Sequence, residues 1–332
     1  MRKTLVTGGT GFIGSAIVRK LIDAGHDVRV LARAGSDRRN LDGLPVEIAT
    51  GDLTSRRSLD GAVQDCQAVF HVAADYRLWV PRPRDMYEAN VTGTVNLMRA
   101  AVQGGVDRIV YTSSVAVLGP HPEGIPSDET VRTRLDGMIG HYKRSKFMAE
   151  QEVVRLVRKE GLPAVIVNPS TPVGPRDIKP TPTGRLIVEA ASGHMPAYVN
   201  TGLNLVHVDD VAAGHLLALE RGAIGEHYIL GAANLELKTI LAEVAALTGR
   251  RPPRIRLLPG LILPVAFFAE CYARLNRSYD PMVTITGVRL ARKKMFFSTA
   301  KAERELGFRP RPVREALADA IDWFRQNGYI RE

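Results

Sequence analysis

The sequence predicts a doubly wound α/β fold, a parallel sheet covered by helices on both faces, followed by a smaller, mostly helical lobe. Three observations predict it. Short β-branched runs alternate with helix-period segments through about the first 170 residues. A glycine-rich stretch, Gly8-Gly9-Thr10-Gly11-Phe12-Ile13-Gly14, sits between the first strand-like run and the first helix-like one. The texture then changes after Asn168, where prolines crowd together.

The elements follow in order. Residues 4–7, 27–31, 46–50, 68–72, 108–112 and 164–167 read as strands, being short, apolar and rich in valine, isoleucine and threonine. Between the first two, Ile13, Ile17, Val18 and Leu21 recur at helical spacing, and Gly25 stops the helix before the next strand. That is a βαβ unit, and longer helices from about 85 to 103 and 139 to 160 continue the alternation. Pro169, Pro172, Pro175, Pro180 and Pro182, with Gly174 and Gly184, predict an irregular segment over the active edge. Order returns with a strand at 204–208, a helix at 209–219 and a strand at 227–230. A last helix carries Val313, Leu317, Ala320, Ile321 and Phe324 on one stripe behind Pro312, read as a first-turn proline. The expected division is a dinucleotide-binding domain over 1–175, with a return from about 204–230, and a substrate-binding lobe from 176–203 and 231–332.

Composition excludes several classes. Hydrophobic residues make up 45% and charged residues 24% of the 332, with no repeat or low-complexity tract, so the chain is expected to fold throughout. Cys66 and Cys271 are too few for a disulfide framework and lack metal-ligand spacing, which fits a reducing, cytoplasmic setting. The start runs directly into a strand, so no signal peptide is expected. The formal charge of +10 comes from lysines and arginines scattered along the chain, a solvated basic surface rather than a nucleic-acid face. The alternative use of that charge is attraction to an anionic substrate or membrane surface. The apolar run 257–269 is broken by Pro259, Gly260 and Pro264 and is shorter than the roughly 20 residues a spanning helix needs. It is expected to be a buried helix of the smaller lobe; the competing reading lays Phe267 and Phe268 on a membrane surface.

The glycine stretch follows a strand and opens a helix, which points backbone N–H groups and the helix dipole at a pyrophosphate. Thr10, Phe12 and Ile13 belong to the same loop as Gly8, Gly11 and Gly14. About 20 residues on, a carboxylate would bond a ribose 2′-hydroxyl, whereas an arginine accommodates a 2′-phosphate. The chain has Leu31-Ala32-Arg33, which favours NADP(H), with NAD(H) as the alternative. Tyr142 and Lys146, four apart, share one face of a helix. Ser114 lies just beyond a predicted parallel strand, at the edge where such sheets bind ligands.

With these residues the chain resembles the extended short-chain dehydrogenase/reductases over essentially its whole length. Gly8, Gly11 and Gly14 match that family's nucleotide loop, Asp52-Leu53 its adenine contact, and His71-Val72-Ala73-Ala74 the end of its fourth strand. Ser114, Tyr142 and Lys146 match its catalytic set; Asn168-Pro169 and His207-Val208-Asp209-Asp210-Val211 match later segments. The resemblance implies that Ala73, Ala74 and Pro169 line the cofactor, that Lys146 bonds the nicotinamide ribose, and that Tyr142 exchanges a proton with a carbinol or carbonyl while Ser114 orients its oxygen. Independently, a nearby ammonium such as Lys146 is expected to favour the phenolate of a tyrosine whose ordinary pKa is about 10. Asn90 is either a further member of the site or a structural bonding residue.

Within the family the chain looks most like hopanoid-associated sugar epimerases and dihydroflavonol 4-reductase-like enzymes. Dehydratases carry an acidic pair after the serine region, where this chain has Val115-Ala116-Val117-Leu118. Epimerases resembling the UDP-galactose enzyme carry an arginine where it has Leu203; Arg185, Lys179 or Arg289 remain as anion contacts. These departures imply a reductase or dehydrogenase acting on a small molecule or lipid head group. The alternatives are a sugar epimerase with retained NAD and a non-catalytic NADP(H) sensor. A homodimer, no transmembrane segment, no nucleic-acid partner and at most peripheral membrane contact complete the expectation.

Overall fold

The computed structural model describes residues 2–119, 121, 125–131, 133–276, 281 and 283–330. Strands β1 (Lys3–Thr7), β2 (Asp27–Ala32), β3 (Val46–Thr50), β4 (Ala68–His71), β5 (Arg108–Thr112) and β6 (Ala164–Pro169) alternate with helices α1 (Phe12–Asp23), α2 (Arg56–Val63), α3 (Pro83–Tyr87), α4 (Gly93–Gln103) and α5 (Gly140–Glu160). Beyond them come β7 (Thr171–Val173), α6 (Pro182–Ala191), β8 (Ala197–Val199), β9 (Gly202–His207), α7 (Val208–Arg221) and β10 (His227–Leu230). The chain closes with β11 (Ala233–Glu236), α8 (Leu237–Thr248), β12 (Ile255–Leu257), α9 (Pro259–Leu275), α10 (Ile285–Leu290), β13 (Lys294–Met295), α11 (Ala300–Leu306) and α12 (Val313–Gln326).

The main sheet has seven strands in the order β10-β6-β5-β4-β1-β2-β3, all parallel. The predicted doubly wound fold is therefore observed. Because crossovers put helices on both faces, the strands are apolar on both sides: Val110 faces a core shared with Ile17 and Leu21 of α1 and Val211 of α7, while Ile109 and Tyr111 face Leu97 of α4 and Val153 of α5. The strand order reverses between β1 and β4, so the β1 and β4 carboxyl ends open a crevice there. A smaller sheet, β11-β9-β13 with β7 added to β9, packs with α6, α8 and α12 around Ile187, Leu205, Ile240 and Phe324. Of the stretch expected to return to the main sheet, β10 joins its edge and β9 lies in the smaller sheet.

Four local expectations are corrected. The helix expected over 85–103 is interrupted by a π turn at Glu88–Thr92 between α3 and α4, where Asn90 turns inward to bond other segments. The proline-rich segment is not wholly irregular: β7 forms within it, and Pro182 starts α6, where its missing N–H costs nothing. Pro312 is the N-cap of α12 rather than a first-turn residue. The run 257–269 is not a buried helix. Helix α9 continues through Pro264, which forfeits only one bond near the helix start, and it leaves Leu261, Val265, Phe267 and Phe268 54–69% exposed.

Candidate functional site

The glycine loop is built by close approach. Gly8 has φ +71°, and a Cβ there would stand 2.7 Å from the Ala73 backbone nitrogen; a Cβ on Gly14 would stand 2.1 Å from the Gly8 carbonyl oxygen. Both positions are thus closed to other residues. Gly11 is the N-cap of α1 and has no side chain to cap it, so the first-turn amides at Phe12, Ile13 and Gly14 keep their donors directed out of the helix. A bare helix start in a glycine cradle at the switch point fits the phosphates of a dinucleotide. Asn40, unremarked in the sequence, ties this loop to the chain across the crevice: its Nδ2 donates to the Thr10 and Arg176 carbonyls. Arg176 is one of two described non-glycine residues with positive φ, at 76°, and forms an ion pair with Asp209.

At the ends of β2 and β3, Arg33 is exposed and close enough to Asp52 for its charge to act there. The Asp52 carboxyl lies below its ordinary pKa: burial raises it, but hydrogen bonds from Thr54 and the Arg33 charge prevail. Asp37, the nearest acid along the chain after Arg33, is forked by Arg39 at 2.7 Å. The Leu53 carbonyl accepts a bond from Asn96, and Leu53 packs where Gly93 has no side chain.

A directed hydrogen-bond chain joins this half of the site to the other. Thr94 Oγ1 donates to the Asn90 carbonyl at 2.6 Å, so its oxygen must accept from His71 Nε2 at 2.8 Å. His71 Nδ1 is then an acceptor, and Thr7 Oγ1 donates to it at 2.8 Å while itself accepting from the Val72 and Ala73 amides. Burial, then the Lys146 charge, hold His71 down to about 3, so the ring is neutral. Asn90 continues the chain: its Oδ1 accepts from the Asp75 amide, and its Nδ2 donates to the Asp75 carbonyl and to Ser145 Oγ, both at 2.9 Å. Ser145 precedes Lys146 on α5.

The predicted reactive residues meet at the carboxyl ends of β5 and β6. Ser114 caps a short 3₁₀ turn, Val115–Val117, its Oγ accepting from the Ala116 amide at 3.1 Å, which leaves the hydroxyl proton free to point elsewhere. Tyr142, half-buried near the start of α5, has its phenol raised by burial, with a hydrogen bond to the Ser114 side chain pulling the other way. Lys146 does not enter that balance as expected from the spacing. Its ammonium donates to the Thr112 carbonyl at 2.8 Å and the Tyr111 hydroxyl at 3.2 Å, and burial lowers it to about 8 against the opposing pull of Glu150. Asn168 Nδ2 clamps the same corner, donating to the Ser114 carbonyl and to Glu150 Oε2. Pro169, next along, ends β6 opposite Leu230.

Of the proposed anion contacts, Arg185, on α6, donates to the Pro180 carbonyl and lies near enough to Asp177 and Tyr76 for its charge to act on both. Lys179 acts on Asp37 and so lies toward Arg33; Arg289 is on α10; Leu203 packs beside the core of the smaller sheet. Glu150, Asn40 and His71 carry most of the bonding that sequence spacing did not reveal. Among the described residues no group of histidines, cysteines and acids is arranged to hold a metal ion.

The parallel sheet, glycine cradle and serine–tyrosine–lysine corner define an NAD(P)-binding oxidoreductase or epimerase. The chain belongs to the NAD dependent epimerase/dehydratase family, which it matches over residues 4–231. A Synechocystis sp. protein with the provisional name dihydroflavonol 4-reductase is 45% identical, covering 98% of this chain and 95% of its own. Sterol demethylase protein B of Methylococcus capsulatus is 36% identical over 98% of this chain and 99% of its own. The crystal structure of gox2253 is 54% identical with a TM-score of 0.89, covering 100% of both chains. The UDP-glucose 4-epimerase of Thermus thermophilus, in complex with NAD, is 25% identical with a TM-score of 0.76, covering 97% of this chain and 99% of that one.

Proposed function

We propose that the chain is a reductase or dehydrogenase that acts on an apolar carbonyl or carbinol, in lipid metabolism and with hopanoid-type lipids among its substrates. The observation that carries this reading is the meeting of Ser114, Tyr142 and Lys146 at one corner of the crevice. The nicotinamide dinucleotide, when bound, supplies or accepts the hydride. Gly8, Thr10, Gly11, Phe12, Ile13 and Gly14 would hold its phosphates, Asp52, Leu53, Ala73 and Ala74 its adenosine half, and Tyr142, Lys146 and Pro169 its nicotinamide half. Ser114, whose Oγ accepts from the Ala116 amide and keeps its own proton to give, donates to the substrate oxygen. Tyr142, raised by burial, carries its proton at neutral pH and gives it to that oxygen in the reductive direction. Lys146, still largely charged below pH 8, holds the ribose and keeps positive potential beside the forming alkoxide.

NADP(H) is favoured, because Arg33 is exposed at the end of β2 and Asp37 is neutralised by Arg39. NAD(H), which the Thermus epimerase carries, is the alternative. The name of the Methylococcus relative points to a sterol, which supports an apolar substrate. The epimerase reading draws on Arg185, a cation near Tyr76 able to meet a sugar phosphate. Residues 1–175 with the return through α7 and β10 form the cofactor domain in this reading. A homodimer through α4 and α5 is supported by Val102 and Met148 exposed on those helices.

The test begins with gentle purification and identification of any released nucleotide, followed by titration of the emptied protein with NADPH and NADH. Reversible binding that prefers NADPH, with turnover of apolar ketones that Tyr142→Phe abolishes, is the expected result. Tightly retained NAD and interconversion of sugar epimers would overturn it in favour of the epimerase.

A further inference from the structure

Helix α9 presents the wrong face to solvent for an ordinary surface helix. Leu261, Val265, Phe268, Tyr272 and Leu275 follow each other at spacings of four, three, four and three, a single stripe, and each is 53–87% exposed. The opposite side is small and tied down: Ala266 and Ala273 are fully buried, and Glu270 accepts a bond from the Ile285 amide at the start of α10. The segment leading in adds Ile255 and Leu258, 59% and 62% exposed. Eight of the fourteen large hydrophobic side chains that the described chain exposes lie in this one stretch, so the patch is concentrated rather than scattered.

Charge identifies the occupant. Residues 250–276 contain five arginines and a single acid, Glu270, which is already bonded to α10. Arg251, Arg254 and Arg256 are exposed immediately before the stripe. A second copy of the chain laid on the same face would bring two such arginine sets together, whereas an anionic lipid surface would pair with them.

We propose that the α9 stripe and the arginines before it dock this enzyme onto an anionic bilayer. The stripe enters the interface, and the guanidinium groups remain at the phosphate level. The face is one helix from the reactive corner: α9 packs on α10, whose Thr286 methyl fills the space a side chain on Gly140 would need, at the start of the helix that carries Tyr142. Docking therefore brings the crevice to a source of apolar alcohols or ketones. That last step rests on the proposed function; the docking itself does not.

The experiment is co-sedimentation of the full chain with phosphatidylcholine vesicles, with and without about one-third phosphatidylglycerol. Sedimentation with the anionic vesicles is expected to fall about tenfold or more on going to 0.5 M salt. A similar fall is expected in Leu261→Ser/Phe268→Ser, and loss of the anionic preference in Arg254→Glu/Arg256→Glu. Circular dichroism and NADPH binding should be unchanged in both variants, and Tyr142→Phe should sediment as the unmodified chain does. Failure to sediment with anionic vesicles overturns the proposal. So does sedimentation indifferent to both double substitutions, or a dimer that Leu261→Ser/Phe268→Ser dissociates without any vesicle binding. Because no turnover is measured, each result stands apart from the success or failure of the proposed reaction.

Discussion

Helices α5 and α9 are the two longest of the described chain, and they spend their length in opposite ways. Helix α5 buries Ser145, Lys146 and Glu150, polar groups whose side chains or neighbours are bonded to β5, β6 and the π turn. Helix α9 buries alanines and exposes leucine and phenylalanine. Hydropathy alone would have exchanged their environments. A buried polar group is stable where its partners are fixed, and a large apolar group stays exposed where its neighbours offer only a small contact. In the reading proposed above, the first helix serves chemistry and the second contact.

The largest effect that sharpens this comparison belongs to α5. Tyr142→Phe removes the proton donor and is expected to lower kcat by about 10²–10⁴, leaving the dissociation constant for NADPH within about twofold. Steady-state kinetics with fluorescence titration measures both. A variant that keeps its turnover would strip α5 of its assigned chemistry. Next is Asn90→Leu, which leaves the half-buried Asp75 amide and carbonyl without their partner and takes one bond from the buried Ser145 hydroxyl; a loss of about 3 kcal/mol in urea unfolding is expected. An unchanged midpoint would show that the π turn does not hold α5.

Acid should act through the buried histidines. His71 and His215 are held by burial at about 3 and about 4, whereas the unfolded chain protonates near 6.5. Between those values the unfolded state binds more protons, so their stabilisation is complete above about pH 6.5 and declines as pH falls toward 4 and then 3. Urea midpoints at pH 7.5, 6 and 5 should decrease in that order. A midpoint that rises on acidification would mean the rings gain a partner when charged.

Smaller effects follow. Arg33→Ala should weaken NADPH binding about tenfold, roughly 1.4 kcal/mol, and NADH binding hardly at all. Equal losses for the two nucleotides would remove the 2′-phosphate from the reading. Smallest of all, Phe268→Ser should change folding stability by no more than about 0.5 kcal/mol, since its side chain is 69% exposed. A loss of about 3 kcal/mol, as for a core phenylalanine, would break the contrast between the two helices outright.

Much of the first half was legible because its signals are local. The glycine loop, the strand alternation and the four-residue step from Tyr142 to Lys146 are each set by backbone geometry within a few residues. What was not legible depends on distant partners. Asn90 acquires its meaning from Asp75 and Ser145, His71 from Thr7 and Thr94, and Glu150 from Asn168, none close in sequence. What surrounds Tyr142 was hidden for the same reason. Spacing shows that Lys146 shares its face, yet the Thr112 carbonyl and Tyr111 hydroxyl decide where the ammonium goes. The reading of 257–269 as buried failed because apolar composition measures a preference for burial, while burial itself requires a neighbour large enough to provide it. Pro264 was no obstacle so near a helix start.

The bonds through His71 favour the tautomer with its proton on Nε2. Were the imidazole proton moved to Nδ1, it would face Thr7 Oγ1, which already receives two amide protons, while Nε2 would face a Thr94 hydroxyl whose own proton is committed to Asn90. With the other bonds as they stand, that reversal sets Nδ1–H against an occupied acceptor and leaves Nε2 without a proton. The nucleotide cradle and the helix of Tyr142 are thereby linked through Thr94, and replacing Thr94 by valine would cut that link at His71 Nε2 and the Asn90 carbonyl while leaving Thr7 on Nδ1 and Asn90 on Ser145.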